Sequence, residues 1–552
     1  MRLAGATARV VFTVGAVSVL CAVVGRPPPV TRLYRDVATL QGAVRGYFAP
    51  NPPHFQYFGV PYARPPTRRD RYKAPKPPPE WDGIFEATHK IKCPQLNADG
   101  EENCLVVNVF VPEQATRLPV IVFVHDGDFQ NGWGAYQPAV RFLREAFILV
   151  TFNYRLGALG FLSLGTPNAP GNAGLKDQIA ALYWVHRNIA SFGGNPREVT
   201  VYGIGSGAAS VQLVLLSGLV NDFLHKVILE SGSVLSPSTL TYDPLSIAYT
   251  GAKSLGYEGT DDPDKLYNFY KEIPSKDLIT IPEMFLPNVR NESDLHSLID
   301  MDPKEKLENG NFHKVPMLIT LTRKNSISII EKDSRRFGKP PETFEYLLPN
   351  NVEFKNHRVK HRVGEIVKEF YFGDDLPRAN VAQSYADYMN DIFTEYPIVK
   401  MAILFAAKNT YYVYVMKFSL IRESGTWGEA YGFNTVLDYL YQDDEQADSI
   451  VIQKLMTLWR NFIKLGDPTP LTTTLIPLIW QPVTCDRQEK IYISDVPMLL
   501  FDTKLKMSTP SSNQRLTFWD NIYRRFYKPH VVDSEQSEEV EDDSYILDIN
   551  TS

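Results

Sequence analysis

The chain has 552 residues, 44% of them hydrophobic and 22% charged, with a formal net charge of −6. That is ordinary globular composition, which excludes a chain that is disordered throughout. With 57 Lys and Arg against 63 Asp and Glu, it also lacks the basic footprint of a nucleic-acid-binding protein.

Residues 1–25 place Arg2 and Arg9 ahead of an apolar run at 10–24, then Gly25, Arg26 and three prolines. The run is short for a membrane span and has the flanks of a signal peptide, with a retained signal anchor as the alternative. A Pro-rich segment follows at 26–35, then one large domain over 36–530. No later stretch is apolar enough to cross a bilayer, so the expectation is a secreted, extracellular chain without a transmembrane segment. Cys21 falls in the signal. Of the remaining three cysteines, the close pair Cys93 and Cys104 is the expected disulfide in an oxidising compartment, leaving Cys485 as a buried, inert thiol.

From residue 119 the run PVIVFVH is continuously apolar and β-branched, the mark of a strand buried on both faces. The same signal recurs at 146–154, 198–203, 226–233, 315–322 and 410–419. Between two of these strands, 174–192 carries Leu175, Ile179, Leu182, Val185 and Ile189 at spacings of three and four, which predicts an amphipathic helix. Buried strands alternating with such helices predict an α/β fold with a mostly parallel sheet. Leu516, Trp519, Tyr523 and Phe526 form another helical stripe, stopped at Pro529. The final segment, 531–552, holds eight acidic residues and no Lys or Arg, and reads as a disordered acidic tail.

Long motifs then appear in order: FGVPYARPP at 58–66, PQLN and ENCLVVNVFVP within 94–112, NYRLGALGFLS at 153–163, a run from GNAGLKDQ to VTVYG at 171–203, and FWDNIY near the end. Together they closely resemble type B carboxylesterases and cholinesterases over essentially all of 36–527. The resemblance implies the α/β-hydrolase fold, a large mostly parallel sheet flanked by helices. It also implies a first disulfide at Cys93 and Cys104 and a structural ion pair of Arg71 with Glu102.

The likeness breaks at the chemistry. An active member has a nucleophile elbow, G-E-S-A-G, whose serine is raised on a strained turn and activated by histidine. The aligned residues here run 203–207, and Gly205 stands at the nucleophile. Ser206 is one place on, where the family has an oxyanion-hole amide, and its expected role is to pack the turn. Asn325 aligns with the triad acid and Phe433 with the triad histidine. No histidine lies between His361 and His530. The H-G-G-G-F loop of the oxyanion hole has become His125, Asp126, Gly127, Asp128 and Phe129, and a carboxylate at Asp128 is expected to repel developing negative charge. Loss of triad members costs about a million-fold in kcat and one oxyanion donor ~10²-fold to 10³-fold, although such losses do not add. The resemblance therefore points to the inactive branch, with neuroligins, neurotactin, gliotactin and glutactin, and to a non-catalytic role in extracellular adhesion or matrix binding. The layout is most similar to glutactin. No cofactor and no metal are implied.

Other readings stay open: a carrier holding a lipophilic small molecule in the vacated gorge, or a residual ester hydrolase. An extracellular protein partner is expected, and relatives suggest a homodimer through the C-terminal helix. Asn291 heads a glycosylation sequon. Asn550 heads a second, close to the end. Tyr545, among acidic residues, is a candidate for sulfation, against the alternative of a plain solvated tail. Lys355, Arg358, Lys360 and Arg362 form a basic cluster for a sulfated glycan or the acidic tail, with a solvated helix face as the alternative.

Overall fold

The computed structural model describes residues 33–530 except 97–99, 136–139, 291–297, 323–341, 374–377, 421–435, 442–449, 485–490, 503 and 511–513. The expected signal segment, Asn291, Asn325, Phe433, Cys485, Tyr545, Asn550 and the acidic tail lie outside the described residues.

Among the described residues, thirteen strands build one mixed sheet. Its N-terminal wing consists of β1 (Tyr34–Thr39), β2 (Gly42–Ala49) and β3 (His54–Pro61), with the short β4 (Ile84–Glu86) on β2. The wing joins antiparallel to β5 (Val106–Pro112) and, through it, to β7 (Ile148–Phe152). From there the sheet is parallel through β6 (Leu118–Val124), β10 (Gly194–Ile204), β11 (Lys226–Glu230), β12 (Met317–Thr322), β13 (Val413–Phe418) and β14 (Met498–Phe501). β15 (Leu505–Ser508) closes it antiparallel, while β8 (Ser163–Thr166) and β9 (Ala169–Pro170) pair with each other apart from this sheet. All six apolar runs become central strands. The segment 26–35 is not wholly outside the domain, because Tyr34 and Arg35 begin β1 and the Arg35 guanidinium lies over the Phe55 ring.

Period-two alternation explains why these strands read as unbroken apolar runs. Val120, Val122 and Val124 of β6 enter one core cluster, whereas Ile121 and Phe123 enter the other. β13 divides likewise, with Val413 and Val415 on one side and Tyr414, Met416 and Phe418 on the other. The first cluster is covered by the helix Ala173–Asn188, through Leu175, Leu182 and Val185, and by the helix Ser206–Leu216. The second is covered by the helix Ile450–Leu465, whose Leu455, Trp459 and Phe462 are buried. The C-terminal helix Gln514–Phe526 buries Leu516, Trp519, Ile522 and Tyr523 in the chain's own core, and leaves Gln514, Arg524 and Arg525 exposed. Its apolar stripe is thus used internally.

A covalent tie and an ion pair hold the loops beside the sheet. Cys93 and Cys104 form a disulfide, and Arg71 donates from Nε to Glu102 at 2.9 Å. Deeper in, Arg155 is bidentate on Asp177, with both contacts at 2.7 Å and both side chains nearly inaccessible.

Candidate functional site

β10 ends at Ile204 and the next helix starts at Ser206, so a single residue, Gly205, turns the chain between them. Its backbone has φ 53° and ψ −121°, a region costly for any residue with a Cβ. The turn is tied on both sides: the Gly205 N–H donates to the Glu230 carbonyl at 2.8 Å, and its own carbonyl accepts from the Ala208 and Ala209 N–H groups. This is the strand-turn-helix geometry of a nucleophile elbow, with glycine at the apex.

The loop after β6 supplies what covers the apex. The Asp126 carboxylate accepts two hydrogen bonds on Oδ1, from the Ser206 N–H and from the Ser206 hydroxyl, both 2.9 Å. A Cβ added at Gly205 would meet Asp126 Cγ and both carboxylate oxygens at 2.3 Å. Asp126 therefore occupies the space a side chain at 205 would need. Its charge lies at the N-terminal end of an 11-residue helix, where exposed N–H groups and the helix dipole favour an anion.

This moves the important carboxylate from the position expected. Asp128 lines the same pocket but is solvent-exposed, and Asp126 is the group on the Ser206 amide. The loop conformation decides which acid faces inward: Gly127, Asp128 and Phe129 have φ of 128°, 52° and 63° in succession. Gly127 is obligatory there, since a Cβ would lie 1.9 Å from the Asn131 carbonyl oxygen. Gly127, Asp128, Gly205 and Ser206 are thus brought together, while Asn325 and Phe433 lie outside the described residues. Sequence reasoning named Asp126 only as a changed loop residue and missed its role; the signal was a second acid at the first glycine of the oxyanion loop.

The pocket over the elbow has a volume of about 260 Å³. Hydroxyls of Ser206, Ser231, Ser233, Ser236, Thr239 and Thr394 line it with Asp126 and Asp128, and no Lys, Arg or His is found among its described lining. Several hydroxyls are already engaged: Ser233 with the Pro397 carbonyl and Ser236 with the Phe393 carbonyl, each at 2.9 Å. No imidazole stands in the described lining to relay a proton from Ser206, whose hydroxyl is held instead by the Asp126 carboxylate.

His125, next to Asp126, serves packing. Its ring stacks on Tyr154 at 4.4 Å, Nδ1 lies 2.8 Å from the Asp126 carbonyl oxygen, and Nε2 is buried without a hydrogen-bond partner. Burial pushes its pKa down to about 4. The unfolded chain, with histidine near 6.5, takes up this proton first as pH falls, so stability present above pH 6.5 is lost on the way down to pH 4. The stability gap between wild type and His125→Asn is expected to narrow by about 2 kcal/mol between pH 7 and pH 4.5, read from denaturant midpoints at each pH. A gap constant with pH would show that His125 is not held neutral.

The basic cluster maps to the start of the helix His357–Phe372, capped by the Asn356 side chain on the Val359 N–H. Lys355, Arg358 and Arg362 are exposed and Lys360 is half-buried. His357 and His361 both meet the Glu345 carboxylate, at 2.9 and 2.6 Å.

The carboxylesterase family model matches residues 34–519. The chain belongs to the carboxylesterase family. It is 28% identical over 473 residues to esterase E4 of Myzus persicae, covering 78% of this chain and 85% of that one. It is 29% identical over 515 residues to neuroligin-3 of Mus musculus, covering 78% of this chain and 62% of neuroligin-3. Among solved structures, juvenile hormone esterase from Manduca sexta, with OTFP covalently attached, superposes with a TM-score of 0.76 at 25% identity, covering 89% of this chain and 100% of that one. The α/β-hydrolase fold follows from this likeness and from the sheet described above. Among the described residues, no helix is long and apolar enough to cross a membrane.

Proposed function

We propose that this carboxylesterase-family chain does not hydrolyse esters and acts outside the cell by binding another protein with the surface of a retained hydrolase fold. The observation that carries the first half is the Asp126 carboxylate seated on the Ser206 amide and over Gly205. An oxyanion hole works by offering unoccupied N–H donors to charge that develops in the transition state. Here one such donor already serves a full negative charge, and a second negative charge at that place is repelled. Gly205 removes the nucleophile and relieves the strain of the turn, so the fold persists without its chemistry. The absence of histidine between His361 and His530 supports the same reading.

The second half rests on the likeness to neuroligin-3 and on the inactive lineages the sequence resembles, which act in adhesion or matrix. A carrier of a lipophilic small molecule is the second reading: Phe129, Ala209, Met284 and Phe393 line the pocket over the elbow beside its hydroxyls and two carboxylates, and a lipophilic ligand needs such apolar walls. Purified secreted protein is expected to leave a simple aryl ester at its uncatalysed rate. Turnover abolished by Ser206→Ala would overturn the proposal.

A further inference from the structure

The basic cluster read from the sequence gains a definite surface in the fold. Lys355, Arg358 and Arg362 are exposed, Lys360 is half-buried, and no acid lies between Glu353 and Glu365. The acids that flank the cluster are engaged elsewhere: Glu345 with His357 and His361, Glu353 with Lys528 at 3.6 Å, and Glu365 with Lys368 at 3.9 Å. Among the described residues no carboxylate pairs with any of the four cations. Arg358, Arg362, Ile366 and Phe370 follow at a spacing of four and form one ridge of the helix His357–Phe372. Phe370 stacks on Phe518 at 4.0 Å, and Phe354, just before the helix, meets Phe526 at 5.0 Å, so the ridge runs antiparallel along the C-terminal helix. Arg358 and Arg362 therefore border the last turn of that helix, where Arg525 is exposed and Arg524 reaches back to Asp520 at 2.9 Å.

The acidic segment leaves the domain from the same place. Tyr527 bridges Val352, the Lys528 N–H donates to the Asn351 carbonyl at 2.9 Å, and the Glu353 N–H donates to the Phe526 carbonyl at 2.8 Å. His530 is fixed by its N–H on the Asp302 carboxylate at 2.9 Å and by its ring, stacked on Tyr242 at 3.8 Å. The next acid is Asp533, and Glu535, Glu538, Glu539, Glu541, Asp542 and Asp543 follow without a Lys or Arg among them. From Val352 to Arg362 the backbone covers no more than about 25 Å. A chain as long as 531–543 extends to about 45 Å and spans about 20 Å even as a free coil. We propose that the segment 533–543 lies on the surface formed by Lys355, Arg358, Arg362 and Arg525 and keeps other polyanions off it. A single exposed ion pair contributes little. Seven acids tethered beside the cations act together, at an effective concentration on the order of millimolar. The tether favours the chain's own segment over an external sulfated glycan, which has the same charge and no tether. A second copy is disfavoured, because a two-fold contact through this face sets cations against cations. The inference does not depend on whether the elbow is inert, because no elbow residue takes part.

The test is zero-length carbodiimide cross-linking of the full chain in dilute solution, read by peptide mapping. Lys355 or Lys360 is expected to join acids within 533–543 in the monomeric protein, and to lose most of that link at about 1 M salt, where charges are screened beyond about 3 Å. The link between Lys304 and Glu308, 2.8 Å apart, reports in every sample that the reagent has acted. Arg358→Gln combined with Arg362→Gln leaves both lysines to report and is expected to cut the link about fivefold, the scale of two exposed ion pairs. Retention on immobilised heparin is expected to rise severalfold when the seven acids are replaced by Gln and Asn, because the surface is then uncovered. No link to the segment while the Lys304 link forms, a link unchanged by salt or by the double variant, a link confined to a covalent dimer, or wild-type heparin retention equal to that of the neutralised variant would each overturn the assignment.

Discussion

Asp177→Ala is expected to destabilise the fold by about 3–5 kcal/mol, because it strands a buried guanidinium without its counter-charge. Asp177 is fully buried and takes the Nε and Nη2 groups of Arg155 at 2.7 Å, as well as the Arg155 backbone N–H at 3.1 Å. Arg155 reaches on from Nη1 to the Arg71 carbonyl at 2.9 Å, so the pair fixes the segment that also carries the Arg71–Glu102 contact. A half-exposed pair provides the contrast: Lys304→Ala, which breaks the contact with Glu308 and removes the ammonium over the Tyr527 ring, is expected to cost about 0–1 kcal/mol. Thermal midpoint and yield of folded protein measure both. Asp177→Ala behaving like Lys304→Ala would refute the structural role given to the pair.

Restoring the serine is the second large effect, and its sign is adverse. Gly205→Ser is expected to destabilise by about 2–4 kcal/mol, from positive-φ strain and from displacing the Asp126 carboxylate off Ser206. Asp126→Ala alone loses a helix-terminal acceptor and costs about 1–2 kcal/mol. In the double variant the collision is gone, so the two costs are expected to fall short of their sum by at least about 1 kcal/mol. Strict additivity would mean that Asp126 and position 205 do not compete for the same space. Neither variant is expected to hydrolyse esters.

The parallel centre of the sheet was legible because each strand there is buried on both faces and leaves an unbroken apolar run. The N-terminal wing was not. β1 and β2 have mixed exposure, and β1 keeps only Val37 buried, so no run or clean alternation marks it. The C-terminal stripe was read correctly as a helix, yet its apolar face packs inward, and spacing alone does not say which neighbour covers a stripe. At the site, the substitution at Gly205 was plain in the sequence, since a missing side chain needs no geometry to be noticed. The role of Asp126 required the torsions of residues 127–129, three positive φ values in a row that set which of two nearby acids turns toward the elbow. Asn325 and Phe433 rest on sequence correspondence, as they lie outside the described residues.

A chemically silent elbow, as proposed, leaves an active-serine probe nothing to label. The purified chain is treated with a fluorophosphonate beside an active carboxylesterase, under conditions that label the latter to completion, and intact mass and peptide maps are recorded. No adduct is expected on Ser206 or on any other serine of the pocket. A stoichiometric adduct on Ser206 or Ser231 would contradict the proposal.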